Sequence, residues 1–191
     1  NYIKNNQTFL EVGVGECVTM LPLLKKIKSK FKCKFFGFDF SLSRIIYAKK
    51  FLKRNKVNAS LFNANLDAIP LDNNSIDIVY SSHSIEPNRG KEKTIIQEML
   101  RVSKKYIFLF EPIYELNPKK NRKRMEKFNY IKNLKKTCEK LDCKILKYEL
   151  INFSEQNHNL TGVIILEKKN TKRRSNSKHF TCPITMNKLD F

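Results

Sequence analysis

Phe9-Leu-Glu-Val-Gly-Val-Gly-Glu-Cys17 sets the terms for the rest of this chain. An apolar run, 8–12, carries an acid, Glu11, near its end and passes into a turn holding Gly13 and Gly15. Glycines at such a turn let the main chain adopt conformations that side chains forbid and let a ligand approach the backbone closely. In open α/β sheets, ligands bind beyond the carboxyl ends of the strands, near a reversal of strand order. The spacing is not a dinucleotide fingerprint, because position 18 would have to be glycine and is Val18, and no Gly-Lys-Ser/Thr follows as a phosphate loop requires. A carboxylate ahead of the glycines would repel a diphosphate, but it suits a ligand that carries an ammonium group.

Downstream, residues 18–30 read as a helix with Met20, Leu24 and Ile27 on one stripe and Pro22 in its first turns, where a missing N–H is tolerated. A second strand, 34–39, ends on Asp39, where a carboxylate can bond both hydroxyls of a ribose. Ser41 suits the cap of a helix running to 54, with Ile45, Ala48 and Leu52 at helical spacing. Strands are expected at 59–64, 76–81 and 106–110, with a loop at 65–75 and a helix at 91–102. Residues 120–141 read as one long helix, because Met125, Phe128, Ile131, Leu134, Cys138 and Leu141 recur every three or four residues. Two last strands, 144–151 and 160–167, lie close enough in sequence to form an antiparallel pair with a wide loop. Strands alternating with helices predict an α/β fold with a mostly parallel sheet.

The 191 residues suit one domain, 1–168, followed by a basic polar tail, 169–191. The chain opens on Asn1 rather than Met and closes on Phe191, which reads as truncation. No run approaches the roughly 18 apolar residues of a membrane span, and no signal-peptide pattern opens it. Five cysteines without a C-x-x-C pair point to free thiols in a reducing compartment, here read as the cytoplasm. Cys182-Pro183 is half of a zinc knuckle whose second cysteine is Thr185, so no metal site is expected. The net charge is +20, with the segment 119–191 more basic than the longer one before it. Such a field favours anionic partners. Lys (30) far outnumbers Arg (8), and Asn is abundant (20). Base composition alone produces that pattern, whereas readout of phosphates and bases leans on Arg.

Three features stand in register: Glu11-x-Gly13-x-Gly15, Asp39 ending the second strand, and Asn65-Leu-Asp-Ala-Ile-Pro70-Leu-Asp-Asn-Asn-Ser-Ile-Asp77. Together they resemble the class I S-adenosylmethionine-dependent methyltransferases, most closely the small-molecule group. The resemblance covers about 8–167. It implies a Rossmann-like seven-stranded, mostly parallel sheet with helices on both faces and strand seven antiparallel. It also implies S-adenosyl-L-methionine as cofactor. By position, Glu11 would lie near the methionine end and Gly13 and Gly15 would form a main-chain bed. Asp39 would hold the ribose, with Phe40 beside the adenine. Asn65 stands where the family usually has Asp, and its side-chain carbonyl still accepts a bond from the adenine amino group. Leu66 would lend a backbone N–H, and Ser81 is counted with the cofactor residues. Cys17 departs from the third glycine of many relatives. Asp77, opening the fourth strand, is expected to order the fold.

After the fourth strand the chain reads Ser81-Ser-His-Ser-Ile-Glu-Pro-Asn-Arg-Gly90. It lacks the [DN]-P-P-[YF] of adenine and glutamine N-methyltransferases and the cysteine nucleophile of cytosine C5 enzymes. His83 is the candidate general base, its ordinary pKa being near neutrality, with pocket shaping as the alternative. Glu86, Arg89, Glu111 and Tyr114 are candidate substrate contacts. The leading expectation is methyl transfer to oxygen or nitrogen of a small molecule, with an anionic sugar or nucleotide-sugar favoured by charge. An RNA methyltransferase that tracks phosphates with the basic C-terminal half, and a non-catalytic module keeping the cofactor fold, are the competing readings.

Overall fold

The computed structural model describes residues 2–151 and 160–169. Five strands run parallel: β1 (Thr8–Val12), β2 (Lys34–Asp39), β3 (Ser60–Asn63), β4 (Ile76–Ser82) and β5 (Ser103–Pro112). β7 (Thr161–Lys168) is antiparallel both to β5 and to β6 (Cys143–Leu150). The strand order in the sheet is β3-β2-β1-β4-β5-β7-β6. It turns back on itself between β1 and β4, which places the ligand crevice over the carboxyl ends of those strands.

Successive side chains of a strand point to opposite faces. Phe9 and Ile78 therefore enter one core cluster, and their neighbours Leu10 and Val79 the other. α1 (Met20–Lys28) and α2 (Leu42–Arg54) cover the first face with Met20, Leu24, Ile27, Ile45, Ala48 and Leu52. α3 (Glu92–Val102) and α5 (Leu134–Glu139) cover the second with Ile95, Ile96, Met99, Leu134 and Cys138. With both faces covered, the central strands can be nearly all apolar.

Two expectations from periodicity need correction. The first helix starts at Met20 rather than at 18, because Cys17 is left-handed (φ +64°) and closes the preceding turn. The expected helix at 120–141 is two helices, α4 (Lys119–Lys127) and α5, joined by an irregular stretch. Asn129 and Asn133 take left-handed φ values of +54° and +61°, a conformation Asn tolerates better than most residues. The break lets Ile131 donate its N–H to the Glu86 carbonyl at 3.2 Å while its side chain stays in the core. Phe128, placed on the apolar stripe by spacing, is 53% exposed. The last three apolar positions keep their burial because α5 takes up the same face again.

Asp77 ties the amino-terminal ends of β1 and β4 together. Its Oδ2 accepts the Thr8 N–H (2.9 Å) and the Thr8 hydroxyl (2.7 Å), and Lys104 Nζ reaches Oδ1 at 3.0 Å. Burial pushes this carboxyl up, but the Thr8 and Lys104 bonds outweigh burial and leave it below the usual range. Asp77→Ala removes the acceptor of a strand N–H and should cost about 1–3 kcal/mol in urea unfolding. The stability that Asp77 confers is present above the ordinary carboxyl pKa of 3.8 and is lost as pH falls through the lower folded value.

Candidate functional site

The turn between β1 and α1 is held from both sides. Above it, Gly15 donates its N–H to Asp39 Oδ2 at 3.0 Å, and Ser41 donates its N–H to Asp39 Oδ1 at 2.9 Å. Val14 N–H reaches the Phe38 carbonyl at 2.8 Å. The β2 end and the glycine turn are thus one unit, and each Asp39 oxygen retains a free lone-pair direction. Gly15 takes φ +53°, and a Cβ built there meets nothing within 4 Å, so the main chain at Gly15 lies bare. Phe40, next to Asp39 in sequence, is 65% exposed. Asn63, which the sequence reading passed over, fixes this corner: its amide donates to the carbonyls of Asp39 (2.8 Å) and Phe40 (2.9 Å). Asn65, exposed, and Leu66, half-buried against the core, follow directly after β3.

From below, Glu11 grips the same turn. Its carboxylate, fully buried, accepts the Thr19 hydroxyl at the start of α1 and the Tyr80 hydroxyl on β4, both at 2.8 Å. Burial raises this carboxyl to about 7 against those two bonds. Glu11 was expected beside the methionine end of a cofactor; here both its oxygens are engaged with protein hydroxyls. Tyr80 continues the alternation of Ile76 and Ile78, and its hydroxyl is the polar tip by which the sequence marks it out. Cys17 lies fully buried, and burial, with the Glu11 charge, pushes its thiol up to about 12, so it is an inert side chain.

Gly13 has a different role from Gly15. At φ +70°, a Cβ there would sit 2.4 Å from Ser84 Cβ. Ser84 in turn donates its hydroxyl to the Val12 carbonyl at 2.6 Å, binding the segment after β4 to the glycine turn. That segment is held from behind by Glu111, expected as a substrate contact. The structure buries it: Oε1 accepts the N–H groups of Ser84 (3.2 Å) and Ile85 (3.3 Å), and Oε2 that of Glu86 (3.3 Å). Burial, and then the Glu86 charge, raise the Glu111 carboxyl to about 8. Ser81 is buried beside Glu111 without an aligned hydrogen bond.

His83 projects from this segment at φ +52°, more than a third exposed. Its Nε2 shares a hydrogen bond with Thr161 Oγ1 at 2.7 Å, and its Nδ1 stands 3.4 Å from Glu86 Oε2. The Glu86 carboxylate beside it raises its pKa above the usual imidazole value, against burial. Farther out, Tyr114 lies on a short 3-10 helix, Tyr114–Leu116, and donates its hydroxyl to Glu126 at 2.6 Å. Lys132 Nζ sits 4.7 Å and Arg122 Cζ 5.8 Å from the Tyr114 ring centre. Arg89 donates to Asn129 at 2.6 Å, and its charge is felt at Lys132. Arg122 and Lys132 were not singled out from the sequence; only the break after α4 brings Lys132 back to this corner. Among the described residues no group of three His, Cys, Asp or Glu side chains could hold a metal ion, and no helix is long and apolar enough to cross a membrane. Cys182 lies outside the described residues.

Glu11 and Glu111 both bind a proton more readily folded than unfolded, where carboxyls titrate near 4.5. Their contribution to stability is therefore complete below pH 4.5 and declines as pH rises toward 8, by up to about 1.4 kcal/mol per pH unit for each proton. Glu111→Gln keeps an acceptor for the Ser84 and Ile85 N–H groups and should flatten this decline. Thermal unfolding of both proteins across pH 5–8 measures the difference in slope.

The model of the Methyltransferase domain family matches residues 9–106, just over half of the chain. Among curated proteins none matches significantly. Solved structures share the fold. A SAM-dependent methyltransferase of Methanosarcina mazei is 19% identical, with TM-score 0.72 over 88% of this chain and 95% of that one. A SAM dependent methyltransferase of Aquifex aeolicus is 17% identical, with TM-score 0.68 over 86% and 84%. Magnesium protoporphyrin IX methyltransferase of Synechocystis PCC 6803, solved with bound SAM, is 11% identical, with TM-score 0.63 over 86% and 71%. From its glycine turn to β5, this chain belongs to the Methyltransferase domain family of enzymes.

Proposed function

We propose that this chain transfers the methyl group of S-adenosylmethionine to oxygen or nitrogen of a small anionic acceptor, in the cytoplasm. One observation carries the cofactor part: the bare main chain at Gly15 is bonded to a carboxylate, Asp39, whose two oxygens can each accept a further hydrogen bond. In this reading Asp39 holds the ribose hydroxyls and Phe40 covers one face of the adenine. Asn65 Oδ1 accepts from the adenine amino group, and the Leu66 N–H donates to the ring. Gly13 and Gly15 border the methionine portion. Glu11 shapes the turn from beneath, and Ser81 supplies a buried hydroxyl where the glycine turn meets β4.

The cofactor supplies a methyl group already made electrophilic by its sulfonium. The protein has to bring the acceptor in line, exclude water and remove a proton. His83 is the proton acceptor of this scheme. An acceptor hydroxyl that displaces Thr161 from Nε2 would lose its proton to the ring, while Glu86 stabilises the imidazolium formed. Glu111 positions this loop. Arg122 and Lys132 around Tyr114, with Arg89 beside Asn129, support an anionic handle on the acceptor, which Arg and Lys meet with charge-assisted bonds.

Asp39→Ala should weaken S-adenosylmethionine by about 2–4 kcal/mol in titration calorimetry, because a charged two-point contact is lost. Unchanged affinity would dismiss this placement of the cofactor. For the acceptor, transfer of a labelled methyl group to a panel of anionic, neutral and cationic compounds is the test. Turnover of anionic members, with KM raised at least about tenfold by Lys132→Ala, is expected; turnover of neutral or cationic members alone would reject the anionic acceptor. With a substrate in hand, kcat/KM should rise with pH through an inflection above the ordinary imidazole value, and Glu86→Gln should move that inflection down.

A further inference from the structure

At the opposite edge of the sheet the chain builds a second basic concavity. We propose that it is a binding site for a ligand carrying two or more linked phosphate groups, separate from the methyl-transfer crevice. The cavity, of about 550 Å³, is lined by Lys104 and Lys105 at the start of β5, Lys144 on β6, and Glu167, Lys168 and Lys169 at the end of β7. Seven residues of extended strand separate Lys104 from Glu111, so the two sites lie roughly 20–25 Å apart.

The charges do not balance. Lys104 reaches Asp77 at 3.0 Å, and Lys105 reaches Glu167 at 3.4 Å. Asp142, whose carbonyl accepts the Lys169 N–H, is a third acid nearby. Five ammonium groups thus face three carboxylates. Lys168 Nζ, half-buried, spends its three N–H groups on Asn74 Oδ1 and the carbonyls of Arg101 and Ser103, so it braces the wall of the cavity while Lys144 and Lys169 supply the surplus. Burial, and the Arg101 charge, depress the pKa of Lys168.

The residue type selects the ligand class. Lysine is a point charge with three rotatable donors and lacks the planar fork by which arginine grips one carboxylate or phosphate. Ammonium groups drawn from three strands suit several tetrahedral anions joined in a row. An oligophosphate can reach more of these ammonium groups at once than a single orthophosphate can. The ligand is a free oligophosphate or the phosphate backbone of a nucleic acid, which offer the same chemistry.

The test is titration calorimetry on the full chain with tripolyphosphate, orthophosphate and a ten-nucleotide single strand. Tripolyphosphate should bind at least about tenfold more tightly than orthophosphate. Lys144→Ala/Lys169→Ala should weaken it at least about tenfold while the melting temperature of the free protein and its affinity for S-adenosylmethionine stay unchanged. Arg122→Ala/Lys132→Ala, at the other end of the sheet, should leave tripolyphosphate binding intact. If the double lysine variant unfolds, Lys144→Gln alone should still weaken tripolyphosphate measurably. A single strand that outcompetes tripolyphosphate, and loses affinity in the same lysine variant, identifies the source as nucleic acid; the reverse ranking identifies a free oligophosphate. Absent binding, or equal losses in both double variants, overturns the site. None of these readouts depends on methyl transfer, so the proposal stands or falls apart from that reading.

Discussion

The Asp39 carboxylate, shared between the N–H groups of Gly15 and Ser41, is the constraint around which the upper rim is organised. It joins the glycine turn to the end of β2 and opens the helix that begins at Leu42. Strand pairing alone would leave the β1–α1 turn free to choose among several paths. The Asp39 bonds select one of them, and that path leaves the Gly15 main chain bare. Asn63 secures the next corner by bonding the consecutive carbonyls of Asp39 and Phe40. The open surface at Gly15 is thus main chain, held in place by the Asp39 and Asn63 side chains.

Beneath the rim, two buried acids do comparable work in opposite halves of the site. Glu11 binds Thr19 and Tyr80 and so fastens the glycine turn to α1 and β4. Glu111 gathers three consecutive N–H groups after β4 and holds the segment that carries His83. Burial raises both carboxyls, so these clamps tolerate a proton at the pH where exposed carboxylates are fully charged. A buried charge without a partner is costly, whereas a neutral carboxyl that keeps its hydrogen bonds is not.

The strongly basic exterior surrounds an acidic interior. Glu11, Asp39, Glu86 and Glu111 all lie at the carboxyl edge of the sheet, and burial makes Glu11 and Glu111 hold a proton more readily than exposed carboxyls do. The cations form separate groups, one around Tyr114 and one at the amino edge near Lys168. A single figure for net charge conceals this separation, because it reports the long-range field and not the chemistry of any one crevice.

Local signals read from neighbouring residues determined the α/β class, most strand positions, the glycine turn and the acid that closes β2. Alternation and helical spacing are properties of short stretches, and glycine, aspartate and serine reveal turns and caps without outside help. The tertiary structure alone decided which partners the acids take. Glu11 meets Tyr80 across 69 residues, and Glu111 meets Ser84 across 27. It also decided that 120–141 is two helices: spacing records which face is apolar, and that face persists through the left-handed turns at Asn129 and Asn133. The surroundings of His83 and Tyr114 were hidden for the same reason, since Thr161 and Lys132 reach them only once the sheet is closed and the chain after α4 folds back.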